Sequence, residues 1–156
     1  MLLCLTTLIS KFKKSLWELF GYNKKSVFNK IVGDSNFELE FSDFLENCDD
    51  VISYAKNFQN KEANALRIEY KNSEGSISTY YPDFFVKKDD KTVYIVETKG
   101  REEADDKLKF ERLKKWCVDV NNRQTKVIYN ALYIKQEEWD KDRLKNFDEV
   151  VRVFGK

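Results

Sequence analysis

The sequence predicts an α/β domain, and three observations carry that assignment. Leu66, Ile68 and Tyr70 alternate with polar neighbours, as a half-buried strand requires. Val93-Tyr94-Ile95-Val96 is an unbroken apolar run, the pattern of a strand covered on both faces. Phe37, Phe41, Phe44, Leu45 and Cys48, and later Leu113, Trp116, Cys117 and Val120, recur at the spacing of amphipathic helices. From residue 34 on, the order is helix, three strands, helix, strand, helix.

Taken in chain order, residues 2–20 read as a helix interleaved with Lys11, Lys13 and Lys14 and ended by Gly21. Residues 23–32 read as a short helical or irregular linker. Residues 1–33 are therefore expected to form a helical lead-in, and residues 34–156 the domain proper. Asp34 or Ser35 is a good helix N-cap, and Glu38 stands three residues after Ser35, as a capping box requires. That helix ends within residues 47–50. Residues 51–56 are a short extended or connecting piece, 64–70 a strand, and 72–75 a turn. Residues 77–86 form a second strand in which Pro82 marks an edge or a break in pairing. Residues 92–99 form a central strand, left at Gly100. A long helix over 103–120, a fourth strand over 126–134 and a last helix over 136–146 complete the chain.

Composition narrows the chemistry. The 156 residues suit one domain, and with 42% apolar and 15% aromatic residues a core can be buried. Lysine and arginine number 28 against 27 acids, a formal net charge of +1, so no strongly basic coat is available for nucleic acid. The absence of histidine excludes Ser-His-Asp and Cys-His catalysis and histidine-based zinc sites. Cys4, Cys48 and Cys117 are far apart and form no CxxC pair, so they read as reduced thiols of a cytoplasmic protein. The apolar stretch 1–10 is too short to span a bilayer and lacks the features of a signal peptide. No GxxxxGK[ST] loop occurs, so no ATP motor is expected in this chain.

One pattern points to a reaction. Tyr81-Pro82-Asp83 is followed, after thirteen intervening residues, by Glu97-Thr98-Lys99. Alternation along a strand sends Glu97 and Lys99 to the same face, and a hairpin brings Asp83 alongside. Two carboxylates at one point repel each other unless a cation neutralises them. Mg²⁺ suits such a pair, because it takes oxygen ligands and keeps several waters. Asp83 and Glu97, with the intervening Thr98, are the expected metal set, and Lys99 is expected to orient water or steady developing charge. The spacing alone equally describes a wet sheet face following a turn. Removing Asp83 or Glu97 is expected to relieve repulsion and leave stability unchanged or higher. Glu38 flanks the apolar stripe of its helix and has two readings, helix cap or further site acid. Lys109 lies on the stripe of Leu113 and Cys117, either snorkelling to the surface or reaching the site. With Arg112 and Lys115 it is expected to contact DNA phosphates, against the plain alternative of a solvated face.

These stretches, together with Lys30-Ile31-Val32-Gly33-Asp34-Ser35-Asn36-Phe37-Glu38 and Trp116-Cys117-Val118-Asp119-Val120-Asn121, carry a resemblance. In the order PDF, ETKG and WCxxxN, the chain resembles the C-terminal nuclease domain of the restriction (Res) subunit of type III restriction-modification enzymes. The likeness covers most of the chain after residue 29. It implies the PD-(D/E)XK, restriction-endonuclease-like fold, a mixed central sheet of about four strands flanked by helices. It also implies Mg²⁺-dependent cleavage of DNA, with Mn²⁺ as the alternative ion. By position it matches Asp83 and Glu97 to metal ligands, Lys99 to the catalytic lysine and Glu38 to the acid of the first helix. It implies partners as well: DNA, a helicase motor, a methyltransferase-type recognition subunit, and a second copy for the opposite strand. The competing readings are an exonuclease or branched-DNA resolvase of the same fold, and a non-catalytic DNA-binding module.

Overall fold

The computed structural model describes residues 17–19, 24–28, 31–58, 65–124 and 126–155. Of the helix expected over 2–20, residues 2–16 and 20 lie outside them, and Cys4 with them. Trp17–Leu19 (β1) is extended, correcting the helix expected there. Its main chain pairs antiparallel with β2, Ile31–Gly33, and this pairing also replaces the irregular linker expected at that point. Ile31 is fully buried in the main core.

The helix α1, Asn36–Asn47, starts as its sequence dictates. Ser35 Oγ accepts from Glu38 N at 3.2 Å, while the Glu38 carboxylate reaches back to Asp34 N at 2.9 Å. The cap is therefore reciprocal, with its second arm one residue upstream of the usual position. Phe37, Phe41 and Leu45 form the buried stripe of α1.

A four-stranded sheet follows, built from β3 (Ser53–Lys56), β6 (Phe84–Lys87), β7 (Thr92–Lys99) and β8 (Ile128–Lys135) in that spatial order. The pairs β3–β6 and β6–β7 are antiparallel and β7–β8 is parallel, so the sheet is mixed, as expected. The parallel pair needs a crossover, supplied by α2, Asp106–Arg123. β4 (Ile68–Lys71) and β5 (Ile77–Tyr80) form a separate two-stranded sheet. The single strand expected over 77–86 is thus two strands in two sheets. Pro82 lacks the N–H a ladder needs, and the chain turns there.

The faces of β7 separate two cores. Val96 packs with α1, β6 and the C-terminal helices in a cluster that includes Phe41, Phe84, Trp139 and Phe147. Ile95, on the other face, packs with Leu113 and Cys117 of α2 and with Ile68, Tyr70 and Tyr80 of the small sheet. Helices therefore flank both sides of the sheet. Cys48 and Cys117 are buried thiols, pushed up to about 12 and about 11 chiefly by burial, as core residues should be.

The last helix expected over 136–146 is instead a single turn, α3 (Gln136–Trp139), followed by α4, Phe147–Phe154. Two caps place α4. Asn146 Oδ1 accepts from Glu149 N at 3.0 Å, and the Asp50 carboxylate accepts from Phe147 N and Asp148 N at 2.9 and 2.7 Å. Among the described residues, no helix is long and apolar enough to cross a membrane.

Candidate active site

Five elements end around one cleft of about 530 Å³. α1 contributes Glu38, with Asp34 and Ser35 just before it. β5 ends in Tyr80, the corner before β6 carries Asp83, β7 ends in Glu97-Thr98-Lys99, and α2 adds Lys109. The cleft thus gathers six residues singled out from the sequence: Glu38, Asp83, Glu97, Thr98, Lys99 and Lys109. Arg112 and Lys115 do not line it. Arg112 has one guanidinium nitrogen buried without a partner, whereas Lys115 is exposed.

Asp83 stands where regular pairing between β6 and β7 gives way. Its N–H still donates to Val96 O at 3.1 Å, but its side chain takes over the next partner. Asp83 Oδ2 accepts from both Thr98 N and Thr98 Oγ1, at 2.8 and 2.7 Å. Asp83 Oδ1 faces the Lys56 ammonium at 3.4 Å. The corner itself is held by Asn57, 6% exposed, whose Nδ2 donates to Pro82 O at 2.7 Å and to Leu66 O at 2.9 Å. Burial raises the Asp83 carboxyl above its ordinary value, against the opposing pull of Lys56.

Glu97 is raised as well. Burial first, and the Asp83 charge second, push it up to about 9, although the Tyr80 hydroxyl donates to its Oε2 at 2.8 Å. Left alone, it carries a proton at neutral pH. A divalent cation suits this donor set. It relieves the repulsion between two neighbouring carboxylates and leaves room for water and phosphate oxygens, as Mg²⁺ prefers. Among the described residues, no three histidine, cysteine, aspartate or glutamate side chains gather closely enough to cage an ion by themselves. The ion would therefore rest on this pair.

Lys99 and Lys109 converge on a single buried acid. Asp106, 3% exposed at the start of α2, lies 3.2 Å from Lys99 Nζ and 3.1 Å from Lys109 Nζ. Asp106 also accepts from Glu103 N at 2.6 Å. Burial works against its charge, but these donors outweigh it and keep its carboxyl below the ordinary range. Lys109 therefore reaches the cleft instead of snorkelling away.

The largest omission from the sequence reading is Lys56. Its side chain is 2% exposed, and its Nζ lies 2.6 Å from Glu38 Oε2, 3.4 Å from Asp83 Oδ1 and 3.8 Å from Asp34 Oδ2. Burial disfavours the ammonium, but Asp83 and then Glu38 more than offset this and hold it above its ordinary value. Glu38 thus caps its helix and also pairs with Lys56 in the cleft. A signal for Lys56 was present: it follows Tyr54 at the two-residue spacing of an inward strand face. Tyr80 and Asn57 had no comparable local mark.

Comparison with known proteins gives one family. The family model described as TnsA-like endonuclease N terminal matches residues 48–140, the span from the end of α1 past α3. No curated protein and no solved structure matches the chain.

Proposed function

Since the chain belongs to the TnsA-like endonuclease N-terminal family, a nuclease family of the restriction-endonuclease-like fold whose substrate is DNA, we propose that it is a Mg²⁺-dependent endonuclease working through Asp83, Glu97 and Lys99. The observation that carries this proposal is the common cleft at the end of β7, onto which a PD corner and an ExK strand both open. Asp83 and Glu97 would hold the ion, with Thr98 fixing Asp83 through two hydrogen bonds and Tyr80 fixing Glu97 through one. When bound, the ion polarises a phosphoryl oxygen and makes water a better nucleophile. Lys99 steadies the negative charge that builds on the phosphate in the transition state, and Asp106 sets where its ammonium waits. Lys109 positions the DNA backbone without reading bases.

The narrower likeness to the type III Res subunit rests on PDF, ETKG and WCxxxN together. It supports a division of labour in which residues 34–156 cut, while a motor and a methyltransferase-type subunit deliver the site and a second copy cuts the opposite strand. A supercoiled plasmid assay tests the activity. Nicking or linearisation with Mg²⁺, abolished by EDTA and by Glu97→Gln, is the expected result. Digestion only from the ends of linear DNA would make the enzyme an exonuclease. No cleavage of plasmid, linear or branched DNA, with either Mg²⁺ or Mn²⁺, would leave a DNA-binding module or an enzyme that cuts only with its partners.

A further inference from the structure

Lys56 is a cation built into the protein beside a site read as a cation site. We propose that its ammonium stands where a second divalent ion would otherwise bridge Glu38 and Asp83, so that this nuclease works with one metal ion per active site. The inference rests on the metal-site reading of Asp83 and Glu97.

In two-ion phosphodiesterases the ions lie close together and share a carboxylate. Asp83 is the residue placed to be shared, standing between Glu97 on one side and Glu38 on the other. Its two oxygens are not equivalent. Oδ2 is turned to β7, where Thr98 N and Oγ1 hold it at 2.8 and 2.7 Å. Oδ1 is turned to Lys56 Nζ at 3.4 Å, and the same nitrogen lies 2.6 Å from Glu38 Oε2. A second ion between Glu38 and Asp83 would need these same two oxygens, and the ammonium already contacts both.

Lys56 is poorly placed to leave. Its side chain is 2% exposed, and its nitrogen lies 5.2 Å from the centre of the Phe84 ring. Charge points the same way. Glu38, Asp83 and Glu97, once ionised, carry three negative charges, with the more exposed Asp34 3.8 Å from the same ammonium, and Lys56 with one divalent ion balances the three. Lys99 is separately matched by Asp106 at 3.2 Å. A second divalent ion would leave the cleft with an excess of positive charge in a partly dehydrated place, which is costly. Lys56 is thus a positioning residue: it holds Asp83 Oδ1 on the side of Glu38 and leaves one ion to Asp83 and Glu97.

The test counts ions independently of turnover. Free Mn²⁺ is measured by electron paramagnetic resonance as it is titrated into the whole chain and into Lys56→Ala, with thermal melts recorded for both. The expected result is one Mn²⁺ per wild-type chain and two per Lys56→Ala chain, the truncation exposing both Glu38 and Asp83. Two ions on the wild type would overturn the one-ion inference while leaving the nuclease reading intact. A folded Lys56→Ala chain that still binds one ion would also overturn it. No Mn²⁺ on the wild type would remove both readings. Should Lys56→Ala fail to fold, the wild-type count decides alone.

Discussion

At the scale of single residues, Glu97 and Asp83 are expected to behave oppositely on substitution. Glu97 has a carboxyl pushed up to about 9 from an ordinary 4.5, chiefly by burial. In ion-free protein the folded state therefore keeps a proton that the unfolded chain has already released, so stability falls as pH rises between about 4.5 and 9. Glu97→Gln still accepts from Tyr80 but carries no charge. It should flatten that decline and be more stable than the parent at pH 8, as read by urea unfolding across pH in the presence of EDTA. A parent whose midpoint does not fall across this range would contradict the buried, protonated carboxyl. Asp83 differs because Lys56 depends on it. The sequence suggested that losing either acid would spare stability, but Asp83→Ala leaves a buried ammonium with Glu38 at 2.6 Å and the exposed Asp34 at 3.8 Å, and Thr98 N without its acceptor. A loss of roughly 1–3 kcal/mol is expected in the same unfolding experiment, together with at least about a 100-fold loss of cleavage. Undiminished stability would show that Lys56 is compensated without it.

At the scale of elements, the site depends on a corner and not on a continuous strand. β5 and β6 belong to different sheets, and Tyr81-Pro82-Asp83 joins them. Asn57 ties that corner to the entrance of β4, donating to Pro82 O and Leu66 O and accepting from Leu66 N at 3.0 Å. Asn57→Ala removes all three bonds and leaves polar groups unpaired in a buried place. The expected cost is about 2–4 kcal/mol, and because Asp83 loses its support, cleavage should fall more than in a surface control. Chemical denaturation beside an initial-rate plasmid assay measures both. A variant as stable as the parent would mean that β6 alone holds the corner. The same logic explains α4. Its Asn146-x-x-Glu149 cap was legible, although the helix expected from the sequence ended at Asn146 instead of starting there. The Asp50 carboxylate, 97 positions away from Phe147, settles where the helix begins.

At the scale of the whole molecule, charge limits how firmly this chain holds DNA. With a formal net charge of +1 and with Lys99 and Lys109 already facing Asp106, little attraction is left over for phosphates. The isolated chain is expected to bind unrelated duplexes weakly, without preference, and with a steep fall as salt rises. Changing Lys109 and Lys115 together to alanine should flatten the salt slope by up to about two units, one for each phosphate that a lysine no longer neutralises. Titrations of fluorescent duplexes at several salt concentrations provide the measurement. Tight, salt-resistant binding to one sequence would sink the delivery scheme.

The sequence by itself determined the features that depend on near neighbours. An unbroken apolar run made β7 central, the three- and four-residue periods made α1 and α2, Ser35 and Glu38 made a cap, and the PD and ExK pair marked one end of the sheet. Tertiary structure decided whatever needs a partner far along the chain. Lys56 and Asp83 are 27 residues apart, Tyr80 and Glu97 17, so no local pattern joins them. β1 has no signal of its own and is extended because β2 pairs with it. The physical reason is the same in each case. A buried charge or a lone strand is unfavourable alone and becomes acceptable only where folding supplies its counter-charge or its hydrogen-bonding edge, and those partners are fixed by the packing of the sheet.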